Sequence, residues 1–197
     1  MRLLLIRHGQ TTSNVSGSLD TARPGADLTD LGREQAELLV ERLREEPIDA
    51  LHASTLVRTQ QTIAPLAAAR ALDVRIHDGL REWDAGDLEM NSDEESVQVY
   101  VKVVLSWAEG RTDLRMPGGP DGAEAFGRYD RAVAEIAAAG SACAAVVSHG
   151  AAIRTWVAAR AKDVDVPYAA AHPLLNTQVV KLVGDPGSGW AVEDWGW

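Results

Sequence analysis

Leu3-Leu4-Leu5-Ile6-Arg7-His8-Gly9-Gln10-Thr11 joins an apolar run of strand character to an arginine, a histidine and a glycine. A strand that stops abruptly on two adjacent cation-forming side chains carries them at its carboxyl end, and in open α/β sheets ligands bind just beyond those ends. Late in the chain Cys143-Ala144-Ala145-Val146-Val147-Ser148-His149-Gly150 repeats the arrangement. Two apolar strands that each end in His-Gly point to one shared site.

Outward from these two stretches, strand-like and helical runs alternate, the pattern of a parallel sheet with crossover helices. The first strand is predicted over Arg2–Arg7. A helix opens at Leu28-Thr29-Asp30-Leu31-Gly32 and runs to about Glu46 before Pro47, with Leu31, Gln35, Leu38, Leu39 and Leu43 as its mainly apolar face. Ile48–Ala53 reads as a second strand, and Ser54 as the cap of a helix from Thr55 to about Arg70. Val74–His77, Ala142–Ser148 and Thr177–Val183 read as further strands, and Trp190–Glu193 as an edge strand after the Pro186-Gly187-Ser188-Gly189 turn. Between Asp84 and Ala139 the strand signal vanishes. Helices over Glu94–Glu109 and Ala123–Ala139, with the Asp93-Glu94-Glu95 run as a helix start, predict a helical insertion at about 84–140 beside the sheet. The fold class expected is α/β, a three-layer sandwich around a mostly parallel sheet, with residues 1–197 forming one domain.

The 197-residue chain is 46% hydrophobic and 24% charged, which is ordinary for a globular protein able to bury a substantial core. Its net charge of −10 argues against a general nucleic-acid binder, so an anionic ligand needs a local cationic pocket. Of the 19 basic residues only Lys102, Lys162 and Lys181 are lysine. The single cysteine, Cys143, excludes an internal disulfide and reads as a small core residue. No apolar run approaches the ~20 residues of a membrane span, and the chain begins on strand pattern without a basic-then-apolar leader. These features predict a cytoplasmic protein without membrane or nucleic-acid partners; a homodimer is compatible with them.

Four polar features follow strands and together describe a phosphate site. Arg7 and His8 follow the first, and Arg58 lies in the first turn of the helix after the second. Glu82 follows the third, in Gly79-Leu80-Arg81-Glu82-Trp83, and His149 follows the fourth. A helix N-terminus already favours anions, so an arginine there adds charge to a ready site. Two arginines and two histidines suffice to neutralise a phosphoryl group in its trigonal transition state. One histidine serves as a neutral nucleophile, the other as a protonated electrostatic partner, and Glu82 supplies the proton that a leaving alkoxide needs. The nearby acids Asp84, Asp87 and Glu89 compete for that last role on position alone. With arginines and histidine doing the charge work no metal or other cofactor is called for. His52, His77 and His172 have no mutual metal-ligand spacing, and His52 and His77 read as structural residues within strands. Trp156 reads as core; Trp83 and Trp107 are candidates for the pocket wall, with packing the favoured role. Arg23, Lys102, Arg111 and Arg115 are candidates for holding a second anionic group of the substrate.

With these residues in place, the chain resembles the histidine phosphatase superfamily, the group that includes the phosphoglycerate mutases. The family's Arg-His-Gly-x-Thr-x-x-Asn is matched by Arg7 to Asn14, its Leu-Thr-x-x-Gly-x-x-Gln-Ala by Leu28 to Ala36, and its Ser-x-Leu-x-Arg-x-x-Gln-Thr by Ser54 to Thr62. Its Leu-x-Glu and Ser-His-Gly elements fall on Leu80–Glu82 and Ser148–Gly150. The resemblance implies His8 as nucleophile and phosphohistidine carrier, with Arg7, Arg58 and His149 around the phosphoryl group. It further implies a hydrogen bond from Asn14 and proton donation by Glu82. Gly9, Gln10 and Thr11 of the first motif, Gly150 of the last, and Arg23 complete the expected substrate-binding set.

The chain departs from the mutases where they grip phosphoglycerate. Their Ser/Thr-Gly pair is replaced by Thr21-Ala22, and no paired arginines occur between Asp84 and Ala139. The insertion loop reads Gly118-Gly119-Pro120-Asp121-Gly122 in place of the frequent Gly-Gly-Glu-Ser. The expectation is therefore a metal-independent phosphomonoesterase acting on small phosphorylated substrates. The alternatives are a phosphoglycerate mutase-type phosphotransferase and a non-catalytic phosphate-ligand binding module.

Overall fold

A computed structural model describes residues 1–196. In chain order the elements are β1 (Arg2–Arg7), α1 (Thr12–Ser16), α2 (Asp30–Arg42), β2 (Ala50–Ser54), α3 (Val57–Arg70) and β3 (Val74–His77). After short 3-10 turns at Asp78–Leu80 and Gly86–Leu88 come α4 (Glu94–Ala108), α5 (Gly122–Ala138), β4 (Cys143–Ser148), α6 (Gly150–Arg160), α7 (Val166–Ala171), β5 (Val179–Asp185) and β6 (Gly189–Trp195).

The strands form one six-stranded sheet in the order β3-β2-β4-β1-β5-β6. β3, β2, β4 and β1 run parallel, whereas β5 is antiparallel to β1 and β6 to β5. The fold is thus the expected α/β type, with a mixed, mostly parallel sheet flanked by helices. Parallel strands with covered faces need apolar residues on both sides, and Leu3, Leu4, Leu5 and Ile6 are all fully buried. Removing each from water contributes about 2 kcal/mol. Leu4 and Ile6 join Leu39, Leu43, Ile63 and Leu66 of the α2–α3 side. Leu3 and Leu5 join the other core, which holds Trp83, Trp107, Phe126, Tyr129 and Trp156. The carboxyl ends of β1, β2, β3 and β4 therefore meet at one edge of the sheet.

Several boundaries differ from expectation. The second helix stops at Arg42, and its buried face is Gly32, Ala36, Leu39 and Leu43, while Leu31 and Leu38 lie exposed. The helix is rotated because its glycine side carries the loop after β1, described below. β2 begins two residues later than Ile48, and α3 begins at Val57 with no side-chain cap. The Ser54 hydroxyl instead accepts from the Leu56 N–H at 3.2 Å. β5 starts after Thr177, whose φ of 61° breaks extended geometry. The helices of the 84–140 stretch fall within one residue of expectation, with Asp93 and Asp121 as their N-caps. α1, α6 and α7 were not anticipated: α1 and α7 are short, and α6 follows directly from a strand-end glycine. Among the described residues no helix is long and apolar enough to cross a membrane.

Candidate active site

The loop after β1 is held through its own backbone groups, largely by side chains from elsewhere in the fold. The His8 N–H donates to Ser148 O at 3.1 Å, carrying the parallel ladder one residue past the strand. Gly9 and Gly32 are required by close approach: a Cβ on Gly9 would lie 2.6 Å from Gly32 O, and one on Gly32 would lie 2.1 Å from Gln10 O. Thr62 Oγ1 accepts from the Gly9 N–H at 2.9 Å, and Gln35 Oε1 accepts from the Gln10 N–H at 2.9 Å. Thr11 caps α1 in a reciprocal box with Asn14, and Asn176 Nδ2 donates to His8 O and to Asn14 Oδ1, at 2.9 and 3.0 Å.

This frame decides the tautomer of His8. Its Nδ1 lies 2.8 Å from Gly9 O; a carbonyl only accepts, so Nδ1 carries the proton and Nε2 keeps its lone pair. Burial, reinforced by the charges of Arg58 and Arg7, holds the imidazole well below the usual histidine range, so the buried ring is neutral at pH 7. Arg58 Nε donates to that Nε2 at 3.2 Å. Arg58 also donates through Nη2 to Asp20 O at 2.7 Å, and its Nη1 stands 3.5 Å from the Asp20 carboxylate. Arg7 is tethered through Nη1 to Leu174 O at 2.5 Å. Behind them the His149 ring sits 5.2 Å from that of His8, with its Nε2 2.8 Å from Ser54 Oγ.

Three buried nitrogens around His8 lack a hydrogen-bond partner: Arg7 Nε, Arg58 Nη1 and His149 Nδ1. Buried polar groups are rarely left so, and the two guanidinium nitrogens, which can only donate, mark a place for an acceptor. The expected charged state of His149 needs correction. Burial, then the charges of Arg58, His8, Arg128 and Arg7, holds it well below the usual histidine range. This disfavours the protonated form that the sequence suggests for it.

Glu82 reaches the site from the segment after β3. Its carboxylate accepts from the Ala151 and Ala152 N–H groups at 3.1 and 2.8 Å, at the N-terminus of α6, and from its neighbour Trp83 at 3.1 Å. That terminus leaves unpaired N–H groups, which favour a carboxylate. The segment is clamped from α5, where Arg128 donates to the carbonyls of Asp78, Gly79, Arg81 and Glu82 at 3.0 to 3.2 Å. Beneath it Trp83 is fully buried, its Nε1 on Thr155 Oγ1 at 2.7 Å. Trp83 and Trp107 are therefore core residues, as is Trp156.

The cavity above these groups measures about 220 Å³ and is lined by Arg7, His8, Thr11, Asn14, Asp20, Arg58, Glu82, Gly150 and Arg154 among others. Gly9 and Gln10 hold the loop from behind, the Gln10 side chain accepting from Thr29 Oγ1 at 2.9 Å. The cavity excludes Arg23, which is exposed and paired with Asp78 at 3.3 Å. Arg111 pairs with Glu109, Arg115 with Asp121 and Glu124, and Lys102 lines a separate groove on α4. Glu89 is occupied elsewhere, accepting from Thr21 and Ala22. Asp84 bonds to its own turn at Gly86. Asp20 and Arg154 escaped sequence reasoning. For Arg154 a signal existed, since a helix beginning at Gly150 puts Arg154 one turn on, over the same face. Among the described residues no group of histidine, cysteine and carboxylate side chains could hold a metal ion.

The profile of the histidine phosphatase superfamily (branch 1) matches residues 3–197. The phosphoglycerate mutase-like protein 4 of Arabidopsis thaliana is 30% identical over 205 residues, covering 98% of this chain and 84% of the relative. The PE-PGRS family protein PE_PGRS11 of Mycobacterium tuberculosis is 31% identical over 96% of this chain, which spans only 35% of that protein's length. Among solved structures, a mycobacterial glucosyl-3-phosphoglycerate phosphatase in complex with VO3 superposes with a TM-score of 0.82 at 27% identity, covering 99% of this chain and 98% of that one.

Proposed function

The chain belongs to the histidine phosphatase superfamily, branch 1, and within that family we propose that it is a metal-independent phosphomonoesterase acting through a phosphohistidine on His8. The observation that carries this reading is the set of nitrogens on Arg7, Arg58 and His149 that have no hydrogen-bond partner among the described residues, gathered around a neutral histidine. A phosphoryl group supplies the acceptors that Arg7 Nε and Arg58 Nη1 lack, and its charge is met by the same two guanidinium groups. Thr11, Asn14 and Gly150 line the same cavity.

The geometry supports the following steps. His8 Nε2 attacks phosphorus, the bond from phosphorus to the ester oxygen breaks, and Glu82 gives its proton to that oxygen, releasing the alcohol. His8 holds the phosphoryl group on Nε2 while its Nδ1–H stays on Gly9 O. Water then attacks phosphorus, Glu82 takes the water's proton, the N–P bond breaks, and inorganic phosphate leaves. As charge develops on the equatorial oxygens, the Arg7 and Arg58 donors strengthen their hold, which is the differential binding that catalysis needs.

A mutase reading meets an obstacle at Thr21 and Ala22. Their N–H groups and the Thr21 hydroxyl are spent on the Glu89 carboxylate, and the Ala85 N–H occupies the remaining side of that hydroxyl at 3.0 Å. They do not offer the grip that a reorienting phosphoglycerate requires. The test is a panel of phosphomonoesters assayed without added metal, with rapid trapping during turnover. An acid-labile, base-stable phosphoenzyme is expected, lost together with activity in His8→Ala. Full activity in His8→Ala overturns the mechanism, and interconversion of 2- and 3-phosphoglycerate faster than phosphate release overturns the assignment as a phosphatase.

A further inference from the structure

Every main-chain carbonyl from Asp78 to Trp83 accepts a hydrogen bond from a side chain elsewhere in the fold. Arg128 of α5 takes those of Asp78, Gly79 and Arg81 through Nη1, at 3.2, 3.0 and 3.2 Å, and that of Glu82 through Nη2 at 3.0 Å. Ser148 Oγ of β4 donates to Leu80 O at 2.8 Å, and the Tyr100 hydroxyl of α4 to Trp83 O at 3.0 Å. Gly79 lets the segment sit directly on α5, since a Cβ there would lie 2.7 Å from Ala132 Cβ and 2.8 Å from Arg128 O. Arg128 serves most of these carbonyls with one planar fork, and its guanidinium lies 5.5 Å over the Trp83 ring.

Arg128 does not line the cavity around His8. Burial, with Arg81 nearby, pushes its pKa down to about 10, partly offset by Asp78 and Glu82, so it is a cation at pH 7. Glu82 is thus held at both ends, its carbonyl by Arg128 and its carboxylate by the Ala151 and Ala152 N–H groups. With that main chain fixed, the reach of the carboxyl group into the cavity is set by side-chain rotation alone. Resting on the phosphatase reading, in which Glu82 protonates the leaving oxygen, we propose that Arg128 is a positioning residue. It acts through Glu82, fixing the main chain from which that carboxyl group reaches the ester oxygen.

The experiment compares benzyl phosphate, an alkyl ester whose leaving oxygen needs a proton, with p-nitrophenyl phosphate, whose phenolate leaves without one. The quantity read is kcat/KM, which covers the step in which the alcohol departs. The variants are Arg128→Met, Arg128→Lys, Glu82→Gln and the double variant of Arg128→Met with Glu82→Gln. In Arg128→Met, kcat/KM for benzyl phosphate falls by roughly 10- to 100-fold, as expected of a misplaced acid. That for p-nitrophenyl phosphate falls far less, and inhibition by vanadate is kept. Arg128→Lys, which keeps a donor without the fork, restores part of the loss and carries the test if the methionine variant does not fold. In the Glu82→Gln background, Arg128→Met leaves the ratio of the two esters unchanged. Equal losses on both esters in the folded Arg128 variants overturn the inference, as does a change of ratio that persists without the Glu82 carboxyl group. Either result leaves the phosphatase reading standing. If Glu82→Gln itself slows both esters equally, Glu82 is not the acid and this inference falls with that assignment. Absence of phosphate release together with absence of a phosphoenzyme defeats the phosphatase reading itself.

Discussion

Arg58 Nε donates to His8 Nε2 across 3.2 Å, so a cation rests on the lone pair proposed to attack phosphorus. The contact keeps the nucleophile neutral and aimed, and an entering phosphoryl oxygen must take over the Arg58 donor before the lone pair is free. Arg58 thus links binding to activation.

That link is testable by titration. Burial is the larger cause of the depressed His8 pKa and Arg58 the next. Removing the Arg58 charge lets His8 take a proton more readily, so in Arg58→Gln its pKa rises and the acidic limb of activity moves to higher pH. Proton and nitrogen NMR of the imidazole reads this directly. Loss of transition-state donors lowers kcat by roughly 10²- to 10³-fold in Arg58→Lys as well. An unshifted His8 titration in Arg58→Gln contradicts the electrostatic role.

Glu82 is held by the Ala151 and Ala152 N–H groups. If it protonates the leaving oxygen, Glu82→Gln slows alkyl phosphates by roughly 10²-fold or more but p-nitrophenyl phosphate far less, since that phenolate leaves without a proton. Thermal unfolding of the same variant separates a lost acid from a loosened α6 terminus. Equal losses on both esters point to positioning alone.

Chelation tests the charge account. His8 and His149 lie beside Arg58 and Arg7, whose positive charge repels a divalent cation. Phosphatase activity therefore stays essentially unchanged in EDTA. Activity lost on chelation and restored by a divalent ion contradicts the proposed roles.

A fourth prediction concerns acid stability. His52 is fully buried, with Nδ1 3.0 Å from His77 Nε2. Burial, with smaller contributions from His77 and Arg75, pushes its pKa down to about 4 from 6.5. Between those values the unfolded chain binds a proton that the folded one refuses, so folding stability falls as pH drops from about 6.5 towards 4 and is fully present above 6.5. Urea unfolding across this range shows a shallower loss in His52→Leu than in the parent. An unchanged slope rules His52 out as its source.

Sequence alone went a long way on the fold. β1 lies where its apolar run puts it, because a buried parallel strand needs a continuous apolar run whatever surrounds it, and β3, a half-exposed edge strand that alternates Val74-Arg75-Ile76-His77, also lies where expected. α2 shows where that reasoning stops. Leu31 and Leu38 looked like core and are exposed, while Gly32 is buried against the Gln10 carbonyl. A helix face is chosen by what packs on it, and here a loop packs on a glycine.

The proposed site divides along the same line. That Arg7, His8, Ser148 and His149 converge was legible from sequence, since strand ends in a parallel sheet share an edge and local pattern locates each end. Gly32, Gln35 and Thr62 were legible only as motif letters; the structure turns them into supports for the loop after β1. The tautomer of His8, the lowered basicity of His149, the seat of Glu82 and the entry of Arg154 into the cavity were decided by tertiary structure. Each depends on distances of a few ångströms between groups far apart in the chain, and on the burial that makes those distances count in electrostatic energy.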